Sequence, residues 1–387
     1  MKTTYHVQRT TYNVDRRDSN FKLPSGPEPS GRRLTSSFLS AVLVGLALLG
    51  AGCFGSSTTT TAGPDGGVWK TSDHGVSWVH KIALVTGPKI TAGAASLSVQ
   101  AMAMDKQDRN AIYLGTKGNG LVYSLDGGDS WTQMAKLDAA DIKSVSVDSK
   151  NQCTIYATSL NKIYKTKTCG RVWDLAFFDP RTDKIITQIV SDWFNPTILY
   201  AGNNEGDILK SSDEGASWQV VKRANASVTS IVLSPQDSRV VYVGTEGDGL
   251  WKTLDAGMTW VQTRKEFGDI GDARRIVKVV PDPVNADRIY LVHRGGIAKT
   301  SDKGQTWQAM NLIGEIGENL IADLAIDPNS NQRMIYTGPT ALVFTSDAGQ
   351  TWEAKKLPTT TSGGSTVMID PKDGNIIYLG TLPRSKK

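Results

Sequence analysis

The sequence predicts an all-β fold: a seven-bladed β-propeller of four-stranded blades, closed by pairing of N- and C-terminal half-blades. Three observations predict it. An octapeptide, S/T-x-D-x-G-x-S/T-W, recurs with its tryptophans at 78, 131, 173, 218, 260, 307 and 352. An apolar strand carrying a tyrosine recurs at Tyr113, Tyr156, Tyr200, Tyr242, Tyr290, Tyr336 and Tyr378. Finally, the first octapeptide has a single strand before it, and the last two strands have no octapeptide after them. A period of 42 to 53 residues between tryptophans suits one blade per repeat.

Residues 1–53 read as a leader. Phe38 opens an uncharged apolar run to Leu49, preceded by Arg32 and Arg33 and followed by Gly50, Ala51, Gly52 and Cys53. A basic flank, an apolar stretch and small residues form the layout of an export signal. It resembles a lipoprotein signal, which implies acylation at Cys53. An uncleaved membrane anchor is the other reading. Both place the following residues outside the cytoplasm. Residues 54–65 are small and polar and read as a flexible tether. The propeller is expected over 66–387.

Charge divides along the same boundary. The chain of 387 residues carries +5, of which residues 1–53 hold seven basic and three acidic side chains. The rest is near +1, which gives no case for a nucleic-acid partner.

Six octapeptides match closely, with Asp73 and Trp78, Asp126 and Trp131, Asp213 and Trp218, Asp255 and Trp260, Asp302 and Trp307, and Asp347 and Trp352. In the seventh, Thr168 stands in place of the Asp and Val172 in place of Ser/Thr. Each reads as a hairpin turn. Gly supplies a backbone conformation closed to other residues, Asp accepts turn amides, and Trp buries an apolar face beneath. These aspartates therefore read as structural rather than as ligands or acids. Before each tyrosine strand lies an alternating apolar strand, often ending in Asp, as at 101–105, 144–148 and 324–327. The half-units are 67–70 at the front and 366–370 with 376–381 at the back.

Cys153 opens the second strand of blade three and Cys169 lies in its degenerate turn. Antiparallel pairing brings them together, and a disulfide is expected there, two free thiols being the other reading. Metal and nucleophile motifs are not found. The four histidines, His6, His74, His80 and His293, lack ligand spacing, and no cofactor is expected.

The octapeptide is identified as the Asp-box, or BNR, repeat. It occurs in sialidases, xyloglucanase-type glycosidases, sortilin-type receptors and the photosystem II stability/assembly factor family. In size and architecture the chain resembles the assembly-factor type. That resemblance implies a non-catalytic, membrane-tethered scaffold gripping a protein or peptide partner. The alternative is a carbohydrate-binding or glycoside hydrolase propeller with a polysaccharide partner. The F-R-I-P motif of sialidases is missing. Xyloglucanases place their cleft between two propellers, and glycoside hydrolysis needs two carboxylates about 5–10 Å apart. Asp323, Glu315 and Glu318 are acidic candidates that no spacing selects.

For a protein partner, the loop entering blade six is the richest in charge. Arg264, Lys265, Arg274 and Arg275, joined by His293 and Arg294, form an expected basic patch with Phe267 as apolar anchor, tempered by Asp269 and Asp272. A second candidate is the channel mouth, with Gln188, Lys278 and Asp323.

Overall fold

The computed structural model describes residues 64–86, 93–137, 139–264, 266–313 and 321–383. The chain divides into two units, Met1–Thr59 and Thr60–Lys387. The leader, Cys53 and most of the tether lie outside the described residues.

The second unit is a seven-bladed β-propeller. Six sheets have four strands and one has five. Blade one is built from both ends of the chain: Gly67–Thr71 and Val79–Lys81 pair with Ile377–Pro383 and Ser362–Ile369. The closing register sets Gly67 opposite Thr381 and Thr71 opposite Ile377. The innermost strands of blades two to seven are Val99–Met104, Ile142–Val147, Ile186–Ser191, Val228–Leu233, Ile276–Pro281 and Asp323–Asp327.

Sequence alternation sets the packing. Side chains of successive residues point to opposite faces of a strand, and every blade is covered on both faces by its neighbours. Seven apolar clusters result, one at each interface. The cluster between blades one and two holds Val68, Val99, Ile112, Leu114, Trp131 and Tyr378. The glycine two places after the tyrosine permits this close approach. A Cβ at Gly202 would lie 2.4 Å from Val228 Cγ1, and one at Gly244 would lie 2.6 Å from Ile276 Cγ2.

The octapeptide turns share one hydrogen-bond pattern. In the fourth blade, Ser211 Oγ donates to Asp213 Oδ1 (2.7 Å) and accepts from the Gly215 amide (2.8 Å). Asp213 also accepts from the Ser217 amide at 2.8 Å and the Ser217 hydroxyl at 2.5 Å. These Ser217 donors lower the Asp213 pKa to about 2. The glycine is not alone in the left-handed region. The residue before it has positive φ too, 58° at Glu214 and 57° at Ala256. Neighbouring groups hold that strained residue in place. The Tyr200 hydroxyl (2.9 Å) and Lys210 Nζ (2.8 Å) of blade four both donate to the Ala256 carbonyl of blade five. Tyr156 and Lys165 do the same to the Glu214 carbonyl. Tyr378 likewise donates to the Gly127 carbonyl of blade two at 3.1 Å, so three of the recurring tyrosines, at 156, 200 and 378, are inter-blade latches.

In the degenerate turn of blade three, the Thr168 hydroxyl replaces one carboxylate oxygen and accepts from the Val172 amide at 2.8 Å. Cys153 and Cys169 are disulfide-bonded there, with their Cα atoms 4.0 Å apart.

One element escapes the repeat pattern. Leu84–Thr86 leaves blade one and pairs parallel with Trp131–Gln133, forming a fifth strand on the outer edge of blade two.

Burial raises the pKa of all seven recurring tyrosines, to about 12 at Tyr113, Tyr242 and Tyr336. The fold favours the neutral phenol. Its stabilisation is complete below the ordinary value of about 10 and is lost as pH rises toward the folded values. Tyrosinate absorbance is therefore expected to rise in one cooperative step above pH ~10, together with loss of the β-sheet circular dichroism signal. Smooth titration of these tyrosines near pH ~10 with the sheets intact would contradict this.

Candidate functional site

The inner strands enclose an axial channel with a cavity of about 320 Å³, to which all seven blades contribute side chains. Its polar lining is a set of inter-blade staples. Gln188 Nε2 donates to the Thr229 carbonyl (2.9 Å), and Thr229 Oγ1 donates to the Ile276 carbonyl (2.8 Å). Lys278 pairs with Asp323. Asp323 also accepts from Thr366 Oγ1 at 2.8 Å, the Val367 amide at 3.0 Å and the Leu324 amide at 2.7 Å. With its carboxylate so committed, Asp323 is a structural tie between blades. Ser365 Oγ donates to the Val99 carbonyl at 2.7 Å. Gln188, Lys278 and Asp323, placed in the channel from sequence, do line it. Glu315 and Glu318 lie outside the described residues.

The loop entering blade six is organised differently from the expected patch. Phe267 is 3% exposed and packs in the core on Trp307, with ring centroids 5.5 Å apart. A ring buried that way is no anchor for a partner. His293 is also buried, and burial lowers its pKa to about 4, which leaves it neutral. Arg264 pairs with Asp248 at 3.5 Å, and Arg275 (3.4 Å) and Arg294 (3.0 Å) both pair with Glu246. The charges largely neutralise one another within the fold. Lys265 lies outside the described residues. Arg274 is exposed and lines a groove of about 400 Å³ with Gln262, Arg264 and Glu266. These side chains supply several donors and one carboxylate, the complement that clustered hydroxyl groups require.

A second recess lies on the opposite face, where the first and second strands of each blade turn. Its volume is about 310 Å³, and Lys106, Trp193, Pro235 and Pro283 are among its walls. Sequence reasoning missed it. The available signal was Trp193, one of three tryptophans outside the octapeptide slot, the others being Trp69 and Trp251. Among the described residues, no group of three His, Cys, Asp or Glu side chains is placed to hold a metal ion.

No family model matches the chain. A xyloglucanase from a Paenibacillus species is 28% identical over 143 residues, covering 32% of this chain and 14% of that protein. A xyloglucanase from Hypocrea jecorina is 29% identical over 179 residues, covering 41% of this chain and 21% of that one. The aligned regions thus span well under a quarter of these relatives. Among solved structures, the GH74 xyloglucanase from Xanthomonas campestris superposes with a TM-score of 0.62 at 17% identity, covering 74% of this chain and 51% of that one. YCF48 bound to D1 peptide gives 0.57 at 18%, covering 75% and 94%. YCF48 from Cyanidioschyzon merolae gives 0.58 at 13%, covering 73% and 95%.

The fold therefore defines a seven-bladed propeller of the kind found in both YCF48 and the GH74 xyloglucanases. The expected function does not survive the comparison. A non-catalytic assembly scaffold, and the statement that the chain is not an enzyme, are overturned by sequence relatives named xyloglucanase. Size and architecture misled because YCF48 and half of a GH74 enzyme share one propeller.

Proposed function

We propose that this protein is a polysaccharide-acting glycoside hydrolase propeller of the xyloglucanase type. The observation that carries this reading is the sequence similarity to xyloglucanases, 28% over 143 residues. The propeller corresponds to 51% of the Xanthomonas enzyme's chain and 53% of that from Niastella koreensis, the share expected of one of two propellers. In this reading the groove of Gln262, Arg264, Glu266 and Arg274 meets the hydroxyl groups of a glucan backbone. Glycosidic cleavage places two carboxylates across the scissile bond, and such a pair would flank the glucan bound here. The leader at 1–53 and tether at 54–65 would deliver the domain at 66–387 to the outside of the cell and hold it at the membrane, where such polymers are met. The disulfide suits that compartment.

The test is incubation of the full chain with xyloglucan, with reducing ends measured over time, beside affinity electrophoresis in gels containing xyloglucan. New reducing ends and retarded migration are expected, with Arg274→Ala weakening retardation by about tenfold, the loss of one charge-assisted hydrogen bond. The absence of both cleavage and retardation would overturn the reading.

A further inference from the structure

The recess on the turn face has a composition the proposed function does not use. Lys106 belongs to blade two, whereas the other walls, among them Val190, Trp193, Pro235 and Pro283, belong to blades four, five and six. Lys106 therefore reaches across the axial mouth. It is solvent-exposed, yet crowding by the walls lowers its pKa, opposed by the charge of Asp192. No carboxylate lines the recess. Three lie beside its lining residues in sequence and accept from their own turns: Asp105 from the Gln107 amide, Asp192 from the Phe194 and Asn195 amides, and Asp282 from the Val284 and Asn285 amides and Arg288. Among the described residues Lys106 forms no ion pair.

Trp193 supplies the second half of the site. Its indole N–H donates to the Ser234 carbonyl at 3.0 Å, and Phe194 packs edge-on against it with centroids 6.1 Å apart. The ring is fixed and half-buried. A rigid indole with its polar edge already satisfied offers an apolar face to a ligand, and pyranose C–H faces are apolar. A volume of about 310 Å³ sits at the small end of ligand pockets. An unpaired ammonium beside apolar walls gains more from an anion than it would in open water.

We propose that this recess binds a pyranose carrying a carboxylate, a uronic acid residue, with Trp193 stacked on the sugar and Lys106 paired with its carboxylate. The inference rests on the carbohydrate reading and adds to it a site for acidic saccharides, separate from the groove on the other face. It makes the turn face a place where acidic side groups or acidic chain ends of a polysaccharide are held.

Isothermal titration calorimetry of the full chain with cellobiouronic acid and with cellobiose tests it, since the two sugars differ only in carboxylate against hydroxymethyl. Cellobiouronic acid is expected to bind at least tenfold more tightly. Lys106→Gln removes that preference and leaves cellobiose unchanged, and Trp193→Ala weakens both by about tenfold. Equal affinity of the wild-type protein for the two sugars, no binding of either, or a preference that survives Lys106→Gln would overturn it. Xyloglucan cleavage is measured on the same samples and is expected to be unchanged in Lys106→Gln. An acid preference with neither cleavage nor retardation sinks the proposed function alone, and cleavage without the preference sinks this inference alone.

Discussion

Trp131→Ala is expected to destabilise the propeller by about 3–5 kcal/mol, the range for deleting a buried aromatic side chain. Trp131 is fully buried, whereas the tryptophans at 78, 218, 260 and 352 are half-buried. The difference comes from the segment after blade one. Leu84–Thr86 lies along the outer edge of blade two, and the Trp131 amide (2.9 Å) and indole N–H (3.0 Å) donate to the Ala83 and Lys81 carbonyls beneath it. Removing the ring leaves a cavity among Val68, Leu97, Val122 and Tyr378 and an unsatisfied carbonyl at Lys81. Trp218→Ala, at the same slot in blade four, is expected to cost roughly 2 kcal/mol, because less area is lost from cover. Urea midpoints of the two variants provide the comparison. Equal losses would show that the fifth strand adds no burial energy.

Asp323→Ala is expected to cost about 3 kcal/mol, near the lower end for breaking a buried ion pair by removing one partner. Lys278 is 37% exposed at its side chain and regains channel water, which moderates the loss. The Thr366 hydroxyl and the Val367 amide lose their acceptor outright. Because Lys278 belongs to blade six, Asp323 to blade seven and Thr366 to blade one, the carboxylate ties three blades together. Asp323→Asn retains an acceptor of the same shape and is expected to recover about half of the loss. Thermal midpoints measured at pH 7 check both. If Asp323→Ala melted like the wild-type protein while xyloglucan cleavage disappeared, the carboxylate would belong to the chemistry instead.

The blades were legible in the sequence because each repeats the same local demand. A positive-φ glycine, an amide-accepting Asp, a Trp packed under the turn and a strand Tyr recur at fixed offsets, which is the demand of equivalent stacked blades. The closure of blade one followed from the unmatched half-units. The fifth strand was not legible: Leu84–Thr86 is three residues long and belongs to no repeat. Site prediction failed for a related reason. Charge was read along one loop, but Glu246 and Asp248, which neutralise Arg264, Arg275 and Arg294, lie in blade five. Phe267 sits between charged neighbours in sequence and looked exposed, yet the core between blades five and six takes it in. The Lys106 and Trp193 recess joins residues 87 positions apart, a distance no local pattern spans.

The seam of blade one has a mechanical consequence. Gly67 pairs with Thr381 and Thr71 with Ile377, so the chain enters and leaves this ladder at the same end. Tension applied between the two flanks loads the Gly67–Thr381 rung first and then each rung in turn. The seam therefore opens by peeling, one hydrogen-bonded pair at a time, rather than by shearing the whole ladder together.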